Sequence, residues 1–214
     1  MKGLSNDALR TGLDALAKVE PAIAAGLARA GYPAPRLNPP GYRTLVRTIV
    51  GQQVSISAAR AVNGRLEALL GEGCPPAAVL AADDMALRGA GLSRQKIGYL
   101  RSLAELVGGG ALDLAALPAE DEAAIAELVR IKGIGRWSAE IYLLFAEGRP
   151  DIWPAGDLVV RIETGHLMGH PDRPSEAETR AYAERWRPHR GAMALFAWHH
   201  YAHRRAATKD KMPL

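Results

Sequence analysis

Residues 128–140 read LVRIKGIGRWSAE, which places two helix-forming segments on either side of a Gly-x-Gly turn. The two glycines, Gly133 and Gly135, permit left-handed dihedral angles and a close approach of another molecule to the backbone. With an amphipathic segment on each side, the pattern predicts a helix-hairpin-helix over about residues 122–147. Such an element holds the backbone of DNA without reading its bases.

The backbone of the turn is predicted to bind a phosphate group. The N–H groups of Gly135 and Arg136 should open the second helix, and N–H groups at a helix N-terminus bind phosphate well. The predicted DNA contacts of the hairpin are Lys132, Gly133, Ile134, Gly135 and Arg136. Beyond the turn, one apolar helix face is predicted at i, i+4, i+7 and i+8, formed by Trp137, Ile141, Leu144 and Phe145.

The rest of the chain also reads as helix. Its apolar residues are mainly Ala and Leu, which favour helix over strand. The 22 Gly and 14 Pro lie mostly between the apolar periodic stretches, where they end helices. We find no strand pattern and no internal repeat, so the predicted fold class is all-α. In chain order, helices are expected over about 6–30 (with a break at Pro21), 42–51, 58–70, 76–88, 94–107 and 118–130. A further helix begins near residue 136, and the last three cover 157–168, 175–186 and 189–204.

Charge is unevenly distributed along the chain. The formal net charge is +4, yet residues 185–214 carry seven Arg and Lys side chains against one acid, Asp210. A basic segment on a nearly neutral body suits a polyanion such as DNA, although a solvated basic tail explains the charge equally simply. The single cysteine, Cys74, excludes an intramolecular disulfide and a four-cysteine metal or iron–sulfur site within the chain.

Two further absences bear on location and on metals. The N-terminus is charged and no apolar stretch reaches membrane-spanning length, so we expect a cytoplasmic protein, nucleoid-associated in a prokaryote. His199 and His203 are spaced i, i+4 like zinc ligands, but no third ligand is evident. We therefore expect no catalytic metal, and we assign these histidines with His200 to a basic helix end that faces DNA.

A second motif follows the hairpin. Residues 154–160 read PAGDLVV, and Asp157 lies 22 residues after Gly135. An Asp that follows a glycine at a helix start is a good N-cap, which is the simpler interpretation from the residue type alone. A carboxylate is also the group that stabilises the positive charge that develops on deoxyribose as its N-glycosidic bond breaks.

Together the two motifs resemble the helix-hairpin-helix DNA glycosylases, in particular the 3-methyladenine DNA glycosylase II family. The resemblance spans about residues 42–204 and implies two helical lobes within a single domain over residues 1–214, with a DNA-binding cleft between the lobes. The hairpin and Asp157 would lie at the mouth of that cleft. Three more segments are similar to the family in the same order, namely IVGQQVS at 49–55, GLSRQKIGYL at 91–100, and Arg190 through Trp198.

The resemblance implies hydrolysis of the N-glycosidic bond of alkylated purines, of the 3-methyladenine and 7-methylguanine type, in base excision repair. Asp157 would be the catalytic carboxylate and would keep its capping role. Bifunctional relatives carry a lysine where this chain has Trp137, and tryptophan forms no Schiff base, so no strand-cleaving lyase activity is expected. No cofactor is implied, although hairpin carbonyls near Lys132 and Ile134 are able to hold a monovalent cation, as in the family.

A flipped base needs a pocket and a stacking partner. By resemblance Trp137 and Trp198 line this pocket, and a cationic alkylpurine stacks well on tryptophan. From the residues alone each tryptophan is also explained as a core residue, Trp137 above all. Ile141 stands where the family has a tyrosine, which would make the pocket less aromatic, and Tyr142 is the adjacent candidate.

The family inserts a side chain into the gap that a flipped base leaves, and Gln52 and Gln53 lie at that position. Gln53 stands where the family has an apolar residue and would hydrogen-bond the orphaned partner base. The alternative interpretation is an ordinary polar helix end beside Gly51. Lys96, in the segment similar to a middle-lobe helix, is a further expected DNA contact.

Two other functions remain open at this point. One is a glycosylase for uracil, hypoxanthine or an oxidised base, and the other is a non-catalytic binder of damaged DNA that uses the same hairpin. In each case the partner is double-stranded DNA with a damaged base. We expect a monomer without membrane association.

Overall fold

A computed structural model of the chain describes residues 4–170 and 172–209, so Asp210 and Lys211 of the basic segment lie outside the described residues. Twelve α-helices, one π-helical segment and one 3-10 turn form the described part, which contains no strand and confirms the all-α prediction. None of the described helices is both long and apolar enough to cross a membrane. In chain order the α-helices are α1 (Asn6–Val19), α2 (Pro21–Ala30), α3 (Tyr42–Gly51), α4 (Ile56–Leu70), α5 (Pro76–Ala81), α6 (Asp84–Gly89), α7 (Arg94–Gly108), α8 (Asp121–Val129), α9 (Arg136–Tyr142), α10 (Leu158–Met168), α11 (Glu176–Ala183) and α12 (Arg190–Lys209).

The chain divides into two compact units. The terminal unit contains the described residues up to Leu37 and those from Leu143 onward, and the middle unit is Asn38–Tyr142. In the terminal unit α12 packs against α1, α2 and α10, and α10 packs against α11. In the middle unit α7 packs against α3, α5 and α6, α3 packs against α4, and α8 packs against α9. Each unit therefore buries apolar helix faces of its own.

The helix boundaries follow local signals that the sequence displays. Ser93 caps α7 by accepting a hydrogen bond from the backbone N–H of Lys96 at 3.2 Å, as predicted. The single helix predicted over 76–88 is two helices instead. The division arises because Asp83 is extended and caps α6, accepting from the backbone N–H of Ala86 at 2.8 Å.

A π-helical segment, Leu143–Glu147, continues directly from α9. A π turn contains more residues than an α turn, so side chains beyond it point in directions that the 3.6-residue period does not predict. Leu144 and Phe145 are buried, whereas Trp137 is 46% exposed. The predicted single face shared by Trp137, Ile141, Leu144 and Phe145 is therefore wrong.

A buried ionic cluster joins α10 to α12. Glu163 and His200 are both fully buried, and the Oε2 atom of Glu163 lies 2.7 Å from Nδ1 of His200. Arg204 donates to Oε1 of the same carboxylate at 2.6 Å. The other nearby histidine, His199, lies with its Nε2 atom 2.7 Å from the carbonyl oxygen of Ala30. The prediction of a DNA-facing histidine cluster is wrong, because His200 is a core residue and only His203 is exposed.

Replacing Glu163 by alanine should lower the free energy of unfolding by about 3–5 kcal/mol, because the buried His200 loses its partner. Denaturant unfolding measures this change. The control is Glu176→Ala, which removes an exposed carboxylate paired with Arg180 and should cost less than about 1 kcal/mol. Equal losses in the two variants would mean that the cluster does not anchor α10 to α12.

Candidate active site

The predicted hairpin is present in the middle unit. Glu120 caps α8 by accepting from the backbone N–H groups of Glu122 and Ala123 at 3.0 and 2.6 Å. In the turn Ile134 is buried and Lys132 is exposed. The backbone N–H of Lys132 donates to Oγ of Ser102 on α7 at 3.1 Å, so the turn is fastened to a neighbouring helix.

The two hairpin glycines serve different purposes. Gly133 has a φ of 84°, in the left-handed region, and a Cβ atom there would overlap the ring of Tyr99. Gly135 has an ordinary φ, is exposed, and a Cβ atom there would meet nothing within 4 Å. The prediction of left-handed dihedral angles is right for Gly133 alone. Neither packing within the chain nor the dihedral angle requires a glycine at position 135.

The Arg136 side chain braces the hairpin. Its Nε donates to Glu140 at 2.9 Å and its Nη1 donates to Glu122 at 2.8 Å, which joins the starts of α9 and α8. The hydrogen bonds to Glu122 raise the pKa of the Arg136 guanidinium. The predicted DNA contact of Arg136 therefore rests on its backbone N–H.

Two other predicted DNA contacts are engaged inside the middle unit. The amide of Gln52 donates to the carbonyl oxygen of Gly133 at 2.8 Å, and Nζ of Lys96 donates to that of Val50 at 2.7 Å. Burial lowers the pKa of the Lys96 ammonium. These side chains tie the end of α3 to the hairpin and to α7, and their assignment as DNA contacts stays a prediction. Gln53, by contrast, is exposed, with a left-handed φ of 55°.

A cavity of 650 Å³ lies in the middle unit beside the hairpin. It brings together five predicted site residues, Gln52, Gln53, Gly133, Trp137 and Ile141. The exposure of Trp137 excludes its interpretation as a core residue and agrees with a wall of a binding pocket. Sequence reasoning assigned no site role to four polar or aromatic lining residues. Arg47 and Thr48 lie outside the quoted motifs, whereas Tyr99 and Ser138 lie within them.

Tyr142 does not line this cavity. Its side chain is 3% exposed, and its hydroxyl oxygen accepts a hydrogen bond from the backbone N–H of Gly41 at 2.8 Å. The assignment of Tyr142 to the base pocket is therefore wrong. The residue fastens the start of α3 to the end of α9.

In the terminal unit, Asp157 combines a cap with a contact to an aromatic side chain. Its Oδ1 atom accepts from the backbone N–H groups of Val159 and Val160 at 2.9 and 3.0 Å, which caps α10. The same oxygen accepts from Nε1 of Trp198 at 3.1 Å. Asp157 and Trp198 are both half-buried, so Asp157 is held in place while part of the residue stays exposed.

Trp198 has two further neighbours in the terminal unit. The Phe145 ring lies 5.6 Å from it between centroids, and Cζ of Arg36 lies 5.8 Å from its ring centroid. A guanidinium at that distance is within the range of a cation–π contact. Neither neighbour was predicted, since they come from the connector after α2 and from the π-helical segment. Among the described residues, no group of three or more His, Cys, Asp or Glu side chains could hold a metal ion.

Known proteins with this arrangement are enzymes of DNA repair. The family model "HhH-GPD superfamily base excision DNA repair protein" matches residues 46–188. DNA-3-methyladenine glycosylase 1 of Schizosaccharomyces pombe is 32% identical over 166 residues, which cover 73% of this chain and 71% of the relative. DNA-3-methyladenine glycosylase 2 of Escherichia coli is 30% identical over 187 residues, 81% of this chain and 64% of the relative.

Solved structures agree with these relatives. A DNA-3-methyladenine glycosidase of Bacillus halodurans superposes with a TM-score of 0.79 at 32% identity, covering 89% of this chain and 88% of that one. The S. pombe 3-methyladenine DNA glycosylase in complex with abasic DNA superposes with a TM-score of 0.75 at 28% identity, covering 89% and 95%. The chain belongs to the helix-hairpin-helix superfamily of base excision DNA repair proteins, which confirms the family inferred from its motifs.

Alanine at the two hairpin glycines should separate folding from binding. A non-glycine residue in the left-handed conformation costs roughly 1–2 kcal/mol. Gly133→Ala should lower the free energy of unfolding by more than this, because the new Cβ would also overlap the ring of Tyr99. Gly135→Ala should leave stability unchanged yet weaken binding to duplex DNA, measured by fluorescence anisotropy. If Gly135→Ala bound DNA like the unaltered protein, the backbone at 135 would not be a contact.

Proposed function

We propose that this chain is a monofunctional DNA glycosylase that hydrolyses the N-glycosidic bond of alkylated purines in double-stranded DNA. The observation that carries the proposal is the Asp157 carboxylate, which three N–H donors hold in place in a chain of this superfamily. The names of the relatives, 3-methyladenine glycosylases from a yeast and a bacterium, support alkylated purines as the substrate class.

The chemistry of alkylated purines requires little beyond a carboxylate. Alkylation at N3 or N7 makes the ring cationic, so the base leaves as a neutral molecule when the bond to C1′ breaks. The electron pair of that bond departs with the base, and positive charge develops on the sugar. A fixed carboxylate stabilises this charge, and a water molecule then adds to C1′ and loses a proton. In the proposal Asp157 supplies the carboxylate, and the Trp198 indole holds it.

The middle unit would hold the base and the DNA backbone. Trp137 presents a ring in the 650 Å³ cavity, on which a flipped purine can stack. The backbone N–H groups of Gly135 and Arg136 and the exposed Lys132 would contact phosphate. Gln53, exposed at the end of α3, would enter the gap left in the duplex.

We propose that hairpin carbonyls near Lys132 and Ile134 hold a monovalent cation, as the family resemblance implies. The carbonyl of Gly133 accepts from Gln52, so a cation would use the carbonyls on either side, those of Lys132 and Ile134. Such an ion would add positive charge where phosphate is proposed to bind.

Asp157→Asn should reduce single-turnover release of methylated purines by at least about 100-fold, because the amide has no charge to offset that of the sugar. Stability should change little, since asparagine is as good an N-cap as aspartate. Base release from methylated duplex DNA and thermal unfolding measure the two effects. Undiminished release by the variant would exclude Asp157 as the catalytic group, and no release by the unaltered protein would favour a damaged-DNA binder.

The product should be an intact strand with an abasic site. Relatives with lyase activity use a lysine amine at the position of Trp137, and an indole cannot attack C1′ as an amine does. A 5′-labelled oligonucleotide with one lesion should therefore stay full length after reaction and break only on treatment with alkali. Trapping of a protein–DNA adduct by borohydride would contradict this expectation.

A further inference from the structure

The cavity beside Trp137 has one charged side chain. Among the described residues that line it, Arg47 alone carries a charge, and none is a carboxylate. The other polar groups are hydroxyls and amides, which donate or accept according to their partners. A guanidinium only donates, so Arg47 gives the cavity a preference for hydrogen-bond acceptors that the other lining groups do not give it.

The guanidinium of Arg47 is held loosely. Among the residues that the structure describes, its ion pair is with Glu67, and the 3.9 Å between Nη2 and Oε1 is beyond hydrogen-bond reach, so this pair uses none of the five N–H donors. Arg43, one turn earlier on α3, has the opposite character. It donates to Glu67 at 3.0 Å and to Glu72 at 2.8 Å, and it does not line the cavity.

Purine lesions differ in the group at C6, which is the group that we expect to meet the Arg47 donor. Guanine and hypoxanthine derivatives carry a carbonyl oxygen at C6, which accepts hydrogen bonds, and adenine derivatives carry an amino group, which donates. The acceptors that the lining side chains offer to an amino group are neutral. They include the Thr48 hydroxyl, which itself donates to the carbonyl of Thr44 at 2.9 Å, and the amide oxygens of Gln52 and Gln53. A neutral acceptor forms a weaker hydrogen bond than a charged donor does, so Arg47 should dominate.

We propose that Arg47 is a specificity-determining residue that favours 6-oxopurine lesions, such as 7-methylguanine, over 6-aminopurine lesions, such as 3-methyladenine. The inference rests on the proposed function, because it takes the cavity as the pocket for the flipped base. It adds the side chain that tells one class of purine from the other. Both lesions are cationic in DNA, so the discrimination comes from hydrogen bonding at C6 rather than from net charge.

Duplex DNA treated with dimethyl sulfate tests this, because it contains both lesions in one substrate. The released 7-methylguanine and 3-methyladenine are quantified by chromatography and mass spectrometry, and the ratio of their initial rates is compared between proteins. Since the lesions compete for the same enzyme, the ratio does not depend on the folded fraction or on affinity for the DNA backbone. Arg47→Ala should lower the ratio of 7-methylguanine to 3-methyladenine by about ten-fold or more. Arg47→Lys, with fewer donors, should lower it less.

Arg43→Ala is the matched control, since it removes the same side chain from the same helix outside the cavity, and it should leave the ratio unchanged. If Arg47→Ala lowers both rates equally, Arg47 contacts phosphate or supports the fold, and the inference is wrong while the proposed function stands. Release of 3-methyladenine alone by the unaltered protein would also overturn the inference. Release of neither base would overturn the proposed function and the inference with it.

Discussion

One oxygen atom of Asp157 joins the start of α10 to α12 and carries the proposed chemistry of the terminal unit. Two of its hydrogen bonds come from backbone N–H groups in the first turn of α10. The third comes from the indole N–H of Trp198, which belongs to α12. Serine or asparagine would satisfy the cap about as well, so capping alone does not require a carboxylate at this position. A fixed carboxylate is what cleavage of a glycosidic bond requires, and the buried Glu163–His200 cluster fastens the same two helices farther along.

In the middle unit, polar side chains hold a backbone in place. Gln52, Lys96 and Arg136 are the kind of residues that contact DNA in many proteins, yet each is bonded to a carbonyl or carboxylate within the unit. Their combined effect is to fix the hairpin turn and the end of α3. A fixed turn backbone suits an element that grips the DNA backbone without reading sequence.

The features that the sequence predicted correctly depend on local interactions. Caps such as Ser93 and Asp157 and the left-handed turn at Gly133 are set by residues a few positions apart. The failures depend on long-range packing or on irregular turns. The π turn after α9 breaks the 3.6-residue period for Leu144 and Phe145, so their directions relative to Trp137 could not be read from the spacing, and the burial of Tyr142 and His200 follows from helices distant in sequence. Arg47 was missed because only folding brings it to the same cavity as Trp137.

The central claim is that Asp157 offsets positive charge on the sugar, and binding to charged and uncharged sugar mimics tests it most directly. The experiment compares two DNA duplexes. One contains a pyrrolidine abasic nucleotide, which is cationic where the sugar charge develops, and the other contains neutral tetrahydrofuran at the same position. We predict that the unaltered protein binds the cationic duplex at least about 100-fold more tightly and that Asp157→Asn loses this preference while binding the neutral duplex as before. Equal affinity for the two duplexes, or a preference that survives in Asp157→Asn, would contradict the account.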